Sequence, residues 1–157
     1  MKTTKTLIAL SLFGLLAACG GPGDSANVPD AQPAGATNVD IGDHIVHFSA
    51  LATDQLPPDV ARLYGIVRSP ERAMLNVSVL KEADGKAVTA EVTVNVVNLT
   101  GQLKNVAMRP ITEGDAIYYI GETRVANRET LVFALSVKPE GVNVASEVRF
   151  QRQFFTD

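Results

Sequence analysis

Ala87-Val88-Thr89-Ala90-Glu91-Val92-Thr93-Val94-Asn95-Val96-Val97-Asn98-Leu99 alternates apolar and polar residues almost without a break. A strand sends successive side chains to opposite faces. Val88, Ala90, Val92, Val94 and Val96 therefore share one face, and Thr89, Glu91, Thr93 and Asn95 the other. The same alternation runs through Leu75-Asn76-Val77-Ser78-Val79. Between the two lies Lys81-Glu82-Ala83-Asp84-Gly85-Lys86, whose Asp-Gly pair suits a tight turn at positive φ, so the two strands are expected to form a hairpin. Leu131–Val137 and Val148–Phe154 repeat the pattern on either side of the turn Lys138-Pro139-Glu140-Gly141. Ala116–Thr123 and Ile45–Leu51 add two more strands. Leu103–Thr112 is weaker, and its Pro110 confines it to a sheet edge or a bulge. One short helix is expected over Pro57–Tyr64, with Pro at its start, Leu56, Val60 and Leu63 on one face, and Gly65 as its stop. The sum is an all-β fold: an immunoglobulin-like antiparallel β-sandwich of about seven strands with one short helix. A small antiparallel barrel is the alternative.

Composition agrees. The chain has 157 residues, 46% of them apolar and 20% charged, with 19 valines, no Trp and a net charge of −3. That is room for one domain and an appendage. The acidic balance argues against a nucleic-acid binder. One cysteine excludes an internal disulfide and every Cys-rich zinc pattern. No cofactor or metal is expected.

The amino-terminal end reads separately. Lys2 and Lys5 precede the apolar run Leu7–Leu15, which is too short for the roughly 20 residues of a bilayer-spanning helix. A positive start, a short apolar core and small residues before a cut describe a secretory signal peptide over 1–18. Leu16-Ala17-Ala18-Cys19-Gly20 resembles the lipobox of bacterial lipoproteins. That resemblance implies cleavage before Cys19, lipidation of its sulfur, and a membrane as partner. Gly20, where Asp would favour inner-membrane retention, implies the outer membrane with the domain facing the periplasm; the inner membrane is the alternative. Residues 19–39 are rich in Gly, Pro and Ala and cannot bury enough surface to offset their ordering entropy. They are expected to be a disordered tether, roughly 25 Å end to end, with the folded domain over 40–157.

Gly42-Asp43-His44-Ile45-Val46-His47-Phe48, Tyr64-Gly65-Ile66-Val67-Arg68-Ser69, Arg72–Val79, Asn98–Leu103 and Glu113–Tyr119 together resemble a family of small exported proteobacterial proteins with a domain of unknown function. The resemblance implies a periplasmic β-sandwich with no established activity. Members usually carry a plain signal peptide, whereas this chain has Cys19 and a tether. His44 stands where an aromatic is more usual.

Candidate site residues are few. His44 and His47 are the only histidines, and their spacing on one strand puts them on opposite faces, so they do not share a metal. A Ser–His–Asp arrangement around His47 and Asp43 lacks a nucleophile elbow, and no catalytic constellation emerges. Arg62, Arg68 and Arg72 surround the loop after the helix, and with Tyr64 and His47 they suggest an anion-binding loop. Tyr118-Tyr119 sends one ring inward and one outward, and Tyr119 is a candidate partner contact. Two functions remain. One is a lipid-tethered, monomeric, non-catalytic interaction or accessory module with an envelope protein as partner. The other is a small-ligand or polysaccharide binding module using the Arg68/Arg72/Tyr64 loop.

Overall fold

The computed structural model describes residues 35–157. Residues 1–18, Cys19 and the tether up to residue 34 lie outside the described residues. Nine strands and one short helix follow in chain order: β1 Asn38–Ile41, β2 His44–Ala52, α1 Pro58–Leu63, β3 Arg72–Lys81, β4 Ala90–Asn98, β5 Leu103–Lys104, β6 Arg109–Glu113, β7 Ala116–Arg124, β8 Thr130–Pro139 and β9 Ser146–Gln153. They form two antiparallel sheets, ordered β1-β2-β3-β7-β6 and β5-β4-β8-β9. In immunoglobulin notation β2, β3, β7 and β6 stand as A, B, E and D, and β5, β4, β8 and β9 as C′, C, F and G. The short β1 is added at the edge beside β2, pairing Asn38 with His47.

Alternation places the core. Val46, Phe48, Leu75, Val77 and Val79 of one sheet meet Val92, Val96, Leu131, Phe133, Leu135, Val137 and Val148 of the other. Burying each such side chain contributes about 1.5–3 kcal/mol. Phe150 stacks on Phe133, ring centroids 4.8 Å apart and 8° from parallel, and tilts onto Phe48 at 4.6 Å. The three rings join the two sheets, in geometries that aromatic quadrupoles favour.

Three expectations are corrected. Strands β3 and β4 do not form a hairpin. The turn does reverse the chain, with Gly85 at φ +68°, but only Leu80 and Ala87 pair across it. The chain then crosses to the other sheet, where β4 pairs with β8 from Ala90↔Pro139 to Asn98↔Leu131. The weak segment Leu103–Thr112 is likewise two strands in different sheets, β5 beside β4 and β6 at the edge beside β7. Pro110 lies on that edge strand. Finally, Asn38 and Val39 belong to β1 and not to the tether, because Asn38–Ile41 alternates like any half-buried strand.

The segment between β2 and β3 folds over the outer face of the larger sheet. Leu56, Ala61 and Ile66 pack on Met74 and Ile120. Leu63, expected on the packed face, is 69% exposed instead. Thr53, fully buried, donates its hydroxyl to the Val67 carbonyl at 2.8 Å and accepts from the Ser69 N–H at 3.0 Å, fixing both ends of this flap.

At the opposite end of β7 from its first turn, Glu129 forms a half-buried hub. Its carboxylate accepts from Lys104 Nζ at 2.7 Å, Asn98 Nδ2 at 2.9 Å and the Ala126 N–H at 2.9 Å. Burial opposes its ionised form, but these three donors outweigh it and lower its pKa below the usual 4.5. A carboxylate with a depressed folded pKa adds stability that is full above the unfolded value and is lost as pH falls through the folded one. Urea midpoints are therefore expected to fall on acidification below about pH 4.5. In Glu129→Gln this part of the acid sensitivity disappears, with about 2 kcal/mol of stability lost at pH 7.

Gly121, on the inner face of β7, makes room for the chain passing from β5 to β6. A Cβ there would stand 2.5 Å from Val106 Cγ1, 2.7 Å from Met108 Sδ and 3.3 Å from the Ala107 carbonyl. Gly121→Ala is expected to cost about 1–3 kcal/mol through overpacking, read as a lower urea midpoint at unchanged slope.

Candidate functional site

The clearest concavity is a cleft of about 420 Å³ on the outer face of the five-stranded sheet. It is lined by His47 and Ser78, directly opposed on β2 and β3, with Leu80, Ala87, Asp115 and Tyr118 around them. Its origin is topological. Strand β3 pairs with β7 from Arg72↔Arg124 to Val77↔Tyr119 and then leaves it. Above that point β3 still pairs with β2 as far as Lys81, but on its other side Ala87 replaces β7. The start of β7, Ala116–Tyr118, therefore pairs only with β6, and a gap opens between β3 and β7.

Tyr119 holds the gap in shape, and its expected role is corrected. Tyr119 points inward and is buried, and its hydroxyl accepts from the Ala90 N–H at 2.7 Å. It braces the point where the chain reaches the second sheet and is not available to a partner. The outward ring is Tyr118, half-buried at the cleft.

The candidate groups of the arginine loop each have a partner within the fold. Arg68 donates to the Asp54 carbonyl. Arg72 donates to Glu122 at 3.1 Å, and not to the nearby Glu71. The Tyr64 hydroxyl donates to Glu113 at 2.6 Å. That bond, with some burial and the adjacent carboxylate charge, raises the phenol above its usual 10.0. Tyr64 ties the flap to β6, Arg72 joins β3 to β7, Arg68 bonds within the flap, and none of the three lines the cleft. Of the candidates, only His47 lies in the cleft. Ser78, Asp115 and Tyr118 were missed as site residues. The available signal was Ser78 beside His47 in an adjacent strand.

His44 occupies the inner face, 4% exposed, with Asp43 Oδ1 2.6 Å from its Nδ1. The contact is close but off the direction of a hydrogen bond, so Nδ1 has no directed partner. His44 and His47 do lie on opposite faces of β2. Among the described residues, no three His, Cys, Asp or Glu side chains are placed to hold a metal. No helix among them is long and apolar enough to cross a membrane.

Residues 38–157 match the family described as a domain of unknown function, DUF4426. The chain belongs to the DUF4426 family. A crystal structure of a DUF4426 family protein from Pseudomonas aeruginosa PAO1 is 33% identical, with a TM-score of 0.67 over 76% of this chain and 94% of that one. FetP of uropathogenic Escherichia coli strain F11, expressed in the periplasm of E. coli, has a TM-score of 0.54 at 13% identity, covering 79% of this chain and 95% of its own. A copper-bound variant of FetP gives 0.54 at 12% identity, over 76% and 95%. The FetP likeness is one of fold. No curated protein matches the chain.

In this DUF4426 domain the two tyrosines make separable contributions. Tyr119→Phe leaves the Ala90 N–H without its acceptor and is expected to cost about 1–3 kcal/mol. Tyr118→Phe is expected to stay within about 0.5 kcal/mol of wild type. Urea unfolding of both variants checks the contrast.

Proposed function

We propose that the chain is a lipid-anchored protein of the cell envelope, held at the outer membrane by Cys19, whose DUF4426 domain faces the periplasm as a non-catalytic interaction module. The observation that carries the reading is the cleft between β3 and β7. It offers His47, Ser78, Asp115 and the Tyr118 ring on a sheet face, with the size of a recognition pocket. The lipobox-like Leu16-Ala17-Ala18-Cys19-Gly20 supports the anchor. Several acyl chains make such anchoring effectively permanent, where one chain binds only marginally. The partner is a protein of the same compartment, and the domain meets it as a monomer.

Cys19→Ser tests the anchor. The wild-type chain is expected in the detergent phase on phase partitioning, and the variant in the aqueous phase with an unchanged far-UV spectrum. Equal partitioning of the two would overturn the lipid anchor. Fractionation of the wild type with inner-membrane markers would move the site of action to the other bilayer.

A further inference from the structure

We infer that the gap between β3 and β7 takes an extended, basic segment of a partner polypeptide, bound through its backbone beside Ile117. The inference rests on the reading of the domain as an interaction module and names the chemistry of its partner.

The ladder around the gap gives the first reason. In an antiparallel pair each residue directs both its N–H and its C=O to one side, and successive residues alternate. The Phe48 N–H donates to Thr37, on the β1 side of β2. Odd residues of β2 therefore face β3, and through His47↔Ser78 the even residues of β3 face β2. The odd residues of β3 face the other way, as the Val79 carbonyl shows by accepting from the Val88 N–H. Val77↔Tyr119 then sets the odd residues of β7 toward β3. Pro110, opposite Tyr119, fits this phase, because its missing N–H falls on the solvent side of β6. By the same phase, Ile117 directs its N–H and C=O into the gap, where β3 has exchanged β7 for Ala87. Ile117 has no backbone partner outside the strand ladders. It presents a free donor and a free acceptor at peptide spacing, the requirement for adding an extended chain.

Charge gives the second reason. The loops around the cleft carry Asp43, Glu82, Asp84, Glu113 and Asp115 against Lys81 and Lys86. Lys86 is already paired with Asp84 at 3.3 Å. Asp115 lines the cleft itself. An incoming strand alternates its side chains: the apolar set turns inward beside Ile117, while cations on the outer face meet Asp115 and the acidic turns. The chain's own residues 20–34 hold Asp24 and Asp30 and no Lys or Arg, which makes them a poor occupant by charge.

Acetylated, amidated Lys-Val-Lys-Val-Lys is the probe, titrated at low salt into the Cys19→Ser chain and into the lipidated chain in detergent. Calorimetry is expected to show binding, and hydrogen exchange to show slowing at Ile117. Glu-Val-Glu-Val-Glu and a probe N-methylated at its central amide are each expected to bind at least about tenfold more weakly. Asp115→Asn, in an exposed turn, should weaken the lysine probe by about threefold. Three results would overturn the inference: no binding, equal binding of the N-methylated probe, or an Ile117 amide already protected in the full chain, which would mean that its own segment fills the gap. The soluble variant is tested beside the anchored form, so failure of the anchor and failure of the peptide site remain distinguishable.

Discussion

The structure depends on how the chain leaves one sheet for the other after β3. A strand that crosses must give up its ladder partners while still in the interior, and buried backbone groups left unpaired are costly. Here the crossing is short and stepwise. Lys81 N–H bonds to Lys86, Val88 N–H to Val79, and Ala90 N–H to the Tyr119 hydroxyl before β4 joins β8. Tyr119 is thus a side chain standing in for a strand at the one place where no strand can reach. With β4 committed to the second sheet, Val92 and Val96 meet the inner face of the first, and the aromatic contacts of Phe48, Phe150 and Phe133 follow from that register.

A second crossing, from β5 to β6, meets a different constraint. The returning chain passes over the inner face of β7 with Val106 and Met108 packed where a side chain of residue 121 would lie. Removing that side chain solves the steric problem without a polar bond. One crossing is therefore held by a hydrogen bond from a large residue, and the other is permitted by the absence of any side chain. Both converge on the two neighbours Tyr119 and Gly121 of a single strand, whose outer face carries Ile120 under the flap. Strand β7 consequently reads as apolar on both faces.

That double burial explains which parts were legible in the sequence. Strands with one solvated face, such as Val88–Val96, disclosed both their existence and their inward side. The helix was legible from Pro57-Pro58 and Gly65, and the edge position of β6 from Pro110. Parity within Tyr118-Tyr119 was not legible, because the flap covers one side of β7 and the core the other. Turn chemistry at Asp84-Gly85 reports that the chain reverses, but not which sheet receives it. The difference depends on pairing with β8, some forty residues later. The arginine contacts escaped for the same reason: Arg72 is met by Glu122 across β3 and β7, and local sequence offers Glu71 first.

The position of the cleft follows from the same crossing, and so does its orientation. The gap lies at the end of the sandwich where β2 begins, beside the Asp43, Gly85 and Asp115 turns. Strand β1 runs antiparallel to β2, and Thr37 lies beside Phe48. Traced backwards from Asn38, the chain therefore heads toward the far end of β2, away from the cleft. Under the proposed anchoring, the tether therefore joins the sandwich at the end opposite the cleft. The cleft and its acidic loops then lie at the end of the domain away from the point where the tether enters. A recognition surface placed beside the entry point of the chain would have to compete with the membrane for its partner, whereas this one is set at the free end by the strand that closes the edge of the sheet.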